Sequence, residues 1–246
     1  FYDLDEPNAF VAAIKRDLHP DGVWVVQMAD LGMMLDKNAF DNICHEHLEY
    51  YDICTLAHVL ERHGLEIIAR RYNSVNGGSL RAIIAHVGSQ QAAHSEFVLP
   101  PWQRLHLNGD IHAFAARIER LKEQTVAYLT RLRQEGRSVV GYGASTKGNT
   151  LLQYYGIGPD LLPAIADRSP FKWGKQTVGT NIPIISEDEM RANRPDYLFA
   201  LPWHFIEAFL EREKDLLAQG TKFIVPLPKM GLVGVEHSDI SAPIPA

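Results

Sequence analysis

Apolar residues recur along this chain with two periods, and the switch between them predicts its elements. Residues 5–18, DEPNAFVAAIKRDL, open on acidic residues and Pro7 and then set Phe10, Ile14 and Leu18 at helical spacing, which predicts a helix that buries that stripe. After the turn HPDG, the run GVWVVQMA is continuously apolar and rich in β-branched residues, the pattern of a strand buried on both faces of a parallel sheet. Residues 55–63 predict a helix closed by Gly64. LEIIARRY and SLRAIIAHV then predict two antiparallel strands joined through NSVNGG.

Periodicity lapses between Gly88 and Gly109, where Gln90-Gln91 and Pro100-Pro101 predict a linker over 89–109. Residues 110–135 then place Ile111, Phe114, Ile118, Leu121, Thr125, either Tyr128 or Leu129, and Leu132 on one face of a long amphipathic helix. From Ser138 strands and helices alternate: strand SVVGYG, helix TKGNTLLQYY, strand LPAIAD, short strand IPII, helix SEDEMRAN, strand DYLFAL, a helix over 204–218 and strand KFIVPL. That alternation predicts a doubly wound parallel sheet, so the fold class is α/β. The expected layout is a first domain over 1–88, the linker, a Rossmann-like domain over 110–230 and a weakly ordered tail over 231–246.

Composition narrows the partners. With 246 residues, 46% hydrophobic and 22% charged, the chain has the make-up of a soluble globular protein of two modest domains. No apolar run approaches the roughly 18 to 20 residues of a membrane span, so no membrane partner is expected. A formal net charge of −6 argues against nucleic acid as a partner and leaves room for a local basic pocket that takes a phosphorylated small molecule. The two cysteines, Cys44 and Cys54, match neither a metal knuckle nor a disulfide framework, and a reducing cytoplasm is the expected location. The opening FYDLDEPNAF lacks an initiator Met, a basic segment and an apolar segment, and reads as a cut edge rather than a signal peptide.

Two stretches carry candidate chemistry. GYGASTKGN, over 141–149, falls at a strand-to-helix turn: Tyr142 and Gly143 lead in, Ser145, Thr146 and Lys147 supply phosphate-compatible donors, and Gly148 and Asn149 follow. Glycine allows close backbone approach, and a helix start offers free N–H groups, so the turn suits a pyrophosphate. It is neither a P-loop nor a GxGxxG fingerprint, because Gly148 comes two residues late; a tight turn without ligand is the competing reading. Asp167 ends the next strand near the usual place of an acidic ribose partner. The second stretch is FDNICHEHLEYY over 40–51, where His45, Glu46 and His47 could supply a base and a partner that orients it. HExxH zinc chemistry is excluded because Glu49 stands where the second His is needed. A solvated polar turn is an equal alternative on composition alone. NGGS over 76–79, the Tyr50-Tyr51 pair, Pro202-Trp203-His204 and the PLPK segment over 226–229 stand at or beyond strand ends, where packing is the commoner role.

In order and spacing, KRDLHPDGVWVVQM, FDNICHEHLEYYD, NGGSLR and YGASTKGNTLLQYYGI resemble the SAM-dependent C-methyltransferases that act on nucleotide-linked keto-sugars. The resemblance implies the end of a class I methyltransferase domain followed by a Rossmann-like domain that holds the sugar nucleotide. It also implies a preceding part of the same protein, with a small zinc-binding domain and the glycine-rich loop for S-adenosylmethionine, so that this chain alone binds that cofactor poorly or not at all. Carried over, it makes His47 the general base beside the sugar ketone, with Glu46 and His45 in the cluster. Gly77, Gly78, Ser79 and His204 join residues 142, 143, 145–149 and Asp167 as the substrate-binding set. Where the family has Tyr-His-Glu-His this chain has Cys44-His45-Glu46-His47; a thiol is a weak donor, so Tyr50 or Tyr51 is expected to replace the missing hydroxyl. The readings left in competition are an NAD(P)-dependent oxidoreductase and a non-catalytic nucleotide-sugar binding module.

Overall fold

The computed structural model describes residues 1–100 and 107–234; the expected linker residues 101–106 and tail residues 235–246 lie outside them. The chain divides into two compact units, Phe1–Lys37 with His45–His112 and Asn38–Cys44 with Ala113–Ala246. Short segment 38–44 therefore belongs to the second unit although both its flanks belong to the first.

The first unit holds α1 (Pro7–Asp17), β1 (Trp24–Ala29), α2 (Leu31–Asp36), α3 (Ile53–Glu61), β2 (Leu65–Asn73), β3 (Ser79–His86) and α4 (Gln90–Ala93). Pro7 starts α1, where its missing N–H is no loss. Val11 is the residue α1 buries, while Phe10, expected inside, is 40% exposed against Phe1 and Trp24. Asp52 caps α3 by accepting from Thr55 N at 2.7 Å, and Leu56, Ala57 and Leu60 pack from α3 onto Leu65, Leu80, Ala82 and Ile84. The three strands run in the order β1-β3-β2, both pairs antiparallel.

This corrects the expectation for GVWVVQMA. β1 pairs with β3 from Trp24↔Ile84 to Ala29↔Ser79 and has one strand neighbour among the described residues. Trp24 and Val26 face the apolar cluster, whereas Val23 and Val25 are 45% and 54% exposed. A continuous apolar run is compatible with burial on one face as well as two, and here the helices of the unit cover one. β1 carries no charged side chain; β2, at the other edge, carries Glu66, Arg70 and Arg71.

Further along are α5 (Leu107–Gln134), β4 (Val139–Tyr142), α6 (Thr146–Tyr155), β5 (Ile165–Asp167), β6 (Ile184–Ser186), α7 (Glu187–Ala192), β7 (Tyr197–Ala200), α8 (Ile206–Arg212), α9 (Lys214–Ala218), β8 (Lys222–Val225) and β9 (Gly231–Val233). α5 buries the predicted stripe from Phe114 to Leu132, but Ile111 is exposed. The sheet order is β6-β5-β4-β7-β8-β9, with β9 antiparallel to β8 and the other neighbours parallel. This is the Rossmann-like α/β arrangement expected. β9 occupies the start of the stretch expected to be a loose tail. The helix expected over 204–218 is divided at Glu213, whose carboxylate is buried and takes bonds from Arg191 and from the Tyr142 hydroxyl.

β5 lies on one side of β4 and β7 on the other, so the chain leaves β4 in opposite directions. The crevice outside the C-terminal end of such a strand is where open α/β sheets take ligands. The turn after β4 is GASTK.

Candidate functional site

His45, Glu46 and His47 lie on an irregular turn separated from the 3-10 turn Phe40–Asn42 by two residues, Ile43 and Cys44. His45 and Glu46 are exposed and His47 is half-buried, its ring 4.4 Å from that of Tyr2. The backbone N–H groups of Leu48 and Glu49 both donate to Tyr2 O, which pins the strand-like exit of the segment. Of the two tyrosines that follow, Tyr50 is half-buried, and Tyr51 sits in the apolar core with its ring against Phe1. Burial, with Glu49 adding to it, pushes the Tyr51 hydroxyl up to about 12. Tyr51 thus presents its ring to the core, and Tyr50 keeps part of its surface exposed.

NGGS is a tight structural turn. Asn76 and Gly77 have φ of 54° and 89°, and Gly78 has φ 143°, where a Cβ would stand 2.8 Å from Met33 Cβ. Ser79 is buried and its hydroxyl donates to Val75 O at 2.8 Å, so its hydrogen is spent inside the turn. The turn and the catalytic candidate segment meet the same strand end: Asp30 N donates to Gly78 O and Leu31 N to Tyr51 O.

At the head of α6 several residues of GYGASTKGN have a visible structural task. Gly143, at φ 88°, lies where a Cβ would meet Pro202 at 2.7 Å, and Gly148 where one would meet Leu201 Cβ at 2.8 Å. Ser145 caps the helix by accepting from Gly148 N at 3.0 Å. Asp167 accepts from Ala144 N, Ser169 N and Lys172 Nζ at 2.8, 2.8 and 3.2 Å. Its carboxylate thus organises the turn. Tyr142 points away from the crevice: its hydroxyl is buried against Glu213 and Glu187, and burial and Glu213 raise its pKa. Thr146 is exposed, Lys147 half-buried, and Asn149 keeps Oδ1 buried with no hydrogen-bond partner among the described residues.

Around Lys147 the structure assembles a polar cluster that motif reading did not show. Asn38, at φ 54°, donates to Pro228 O and accepts from Arg117 Nε, and Phe40 stacks on Tyr155 at 5.2 Å. These contacts set Asp41, fully buried, where its Oδ2 accepts from Trp203 Nε1 at 3.0 Å. Burial pushes the Asp41 carboxyl up to about 6, against the pull of Lys147 and the indole N–H. Burial lowers the Lys147 ammonium, with Asp41 and then Cys44 drawing it back up. Burial first and the Lys147 charge second hold the His204 imidazole down at about 4. Asp41 Oδ1, His204 Nδ1 and the Tyr155 hydroxyl are shielded from solvent and have no hydrogen-bond partner among the described residues. Buried polar atoms normally have one, so such a group marks a place for ordered water or a ligand. The signal available in the sequence was an acid between Phe40 and Ile43, an expensive residue to bury unless something answers it.

Among the described residues no group of three His, Cys, Asp or Glu could hold a metal ion, and no helix is long and apolar enough to cross a membrane. Residues 74–228 match a family model described as the C-methyltransferase C-terminal domain. The chain is similar to the C-methyltransferase NovU of Streptomyces niveus, with 32% identity over 242 residues. That alignment takes in 97% of this chain and 58% of NovU, so the chain spans less than two thirds of the length of the relative it matches. Agreement in sequence from end to end of the chain, together with the family match across NGGS, the glycine turn and the sheet around it, shows that this chain belongs to the C-methyltransferase family.

Proposed function

We propose that this chain is the acceptor-binding and proton-abstracting part of an S-adenosylmethionine-dependent enzyme that methylates a carbon next to the ketone of a nucleotide-linked sugar. The observation that carries the reading is the head of α6: a glycine turn at the end of β4, a half-buried lysine in its first turn, and buried polar atoms beside it without partners among the described residues. A diphosphate is the ligand chemistry that such a turn favours, through backbone N–H groups, the helix dipole and the ammonium. Membership of the C-methyltransferase family supplies the reaction class.

In this reading His47 removes the proton from the carbon beside the carbonyl, and the enolate that remains is the nucleophile. His45 and Glu46 flank the base, and Tyr50 is the hydroxyl on hand for the enolate oxygen. The methyl donor contributes an electrophilic methyl group. β1 passes into α2 through Asp30, whose carboxylate caps that helix by accepting from Met33 N. The donor would be held by a part of the protein beyond this chain, in keeping with the greater length of NovU.

Calorimetric titration of nucleoside diphosphate sugars into the full-length protein tests the reading. Saturable binding is expected, weakened about tenfold or more by Lys147→Ala, the loss of one charge-assisted bond. Equal affinity in the variant would return the turn to a purely structural role. Binding of a nicotinamide cofactor in place of the sugar nucleotide would instead favour a dehydrogenase.

A further inference from the structure

Asp167 closes β5, and a loop over 168–183 carries the chain from there to β6. Two bonds tie this strand end and its loop to the glycine turn: Asp167 accepts from Ala144 N at 2.8 Å, and Lys172 Nζ donates to Ala144 O at 2.5 Å. Farther along, Gly174 N donates to Ile184 O and Ile184 N to Lys175 O, so the loop doubles back along β6. The fold leaves a cavity of about 280 Å³ there, with Trp173, Lys175, Gln176, Ile185, Ser186 and Glu189 in its walls. Ligand pockets run from roughly 300 to 1,000 Å³, so this one suits a single small ring system.

Trp173 is fixed and yet uncovered. Its indole N–H donates to Asp167 O at 2.7 Å, which sets the ring, while 43% of the residue is exposed. An indole held for packing alone gains most by leaving water altogether. The side chains of Lys175 and Gln176 make no hydrogen bond or ion pair among the described residues. Ser186 Oγ accepts from Glu189 N at 3.0 Å and keeps its own hydrogen to give.

We propose that this cavity seats the nucleobase of the nucleotide-linked sugar, with Trp173 as the face on which the base stacks. The proposal rests on the reading of the turn over 143–149 as the diphosphate site. A nucleobase is planar and carries donors and acceptors around its rim, which matches one fixed aromatic face beside unspent polar groups. β4, β5 and β6 are parallel, and Ser186 closes β6 as Asp167 closes β5, so cavity and turn lie at the same end of the sheet. One ligand can therefore set its diphosphate on the turn and its base against Trp173.

The test is titration of dTDP and of inorganic pyrophosphate into the full-length protein, as wild type, Trp173→Ala, Trp173→Phe and Lys147→Ala. dTDP brings base and diphosphate without the acceptor sugar; pyrophosphate brings neither base nor sugar. Trp173→Ala should weaken dTDP about tenfold or more, the usual loss for one stacked base, and leave pyrophosphate unchanged. Trp173→Phe, which keeps an aromatic face and gives up the bond to Asp167, should retain most of the dTDP affinity. Lys147→Ala should weaken both ligands. Full dTDP affinity in Trp173→Ala, with Lys147→Ala still weakened, would overturn the base seat and leave the diphosphate turn standing. An equal loss of both ligands in Trp173→Ala would make the indole a prop of the turn and overturn the proposal too. Unchanged affinity of Lys147→Ala for both ligands would remove the turn and this proposal with it. Indole emission decides the matter should the alanine variant fail to fold or pyrophosphate bind too weakly: quenching by saturating dTDP should be lost in Trp173→Phe, and equal quenching in wild type and Trp173→Phe would overturn the stacking.

Discussion

His204 offers a direct solution test at the scale of a single residue. Its imidazole is held at about 4 against an ordinary value of 6.5, so between those values the unfolded chain binds the proton that the folded chain refuses. Stability should fall as pH drops from 6.5 towards 4 and level off below. The drop is about 1 to 3 kcal/mol, the lower end applying because the ring is partly solvated. Denaturant melts of wild type and His204→Phe across that window would show it, and parallel curves would exclude His204 as the cause. For His47 the expectation is chemical: in the full-length enzyme His47→Gln should abolish solvent exchange of the acidic C–H of a keto-sugar, and undiminished exchange would take it out of the base role. The identity of these histidines was legible because a motif is a string of side chains. Asp41 was not, since its burial is answered by the Trp203 indole N–H, which stands far from it in sequence and within hydrogen-bond reach in space. Tyr142 and Asp167 were legible as motif members only; their hydrogen bonds turn them into the frame of the turn.

At the scale of elements, the turn between β4 and α6 depends on two glycines for want of room. Gly148→Ala brings a Cβ to 2.8 Å from Leu201 Cβ, a rigid neighbour at the end of β7, so thermal or chemical unfolding should reveal a loss of about 1 to 3 kcal/mol. Gly158→Ala is the control: its nearest neighbour would be 3.9 Å away, and no measurable loss is expected. Equal behaviour of the two would remove the close-packing argument for Gly148. Alternation of strands and helices was legible throughout this part because a buried parallel strand and an amphipathic helix repeat with different periods. The division of α8 from α9 was not, because it is made by Glu213 reaching Arg191 and Tyr142, a long-range pairing with no periodic trace. GVWVVQMA misled for a related reason. Its composition states how apolar the strand is, and only its pairing with β3 states which face is covered.

For the molecule as a whole, the two cores predict a graded pattern of amide protection. β4 and β7 have strand neighbours on both sides and buried side chains, so their amides should exchange slowest. β1, with one neighbour and alternate residues exposed, should exchange fastest among the strands longer than three residues. Faster exchange in β4 than in β1 would contradict that ordering. Residues 38–44 explain why a contiguous domain layout was out of reach of the sequence: a seven-residue segment departs for the second unit and returns, and Asn38, Phe40 and Asp41 hold it there through partners more than seventy residues away. The uncharged rim of β1 has a practical side. Exposed Val23 and Val25, on a strand edge that pairs with no other strand among the described residues, form a template on which a second molecule can add its own strand, a hazard that the arginines of β2 avert at the opposite rim. Preparations of the 246-residue chain should therefore grow into larger particles as concentration rises, visible by light scattering, and a lysine in place of Val25 should keep them small.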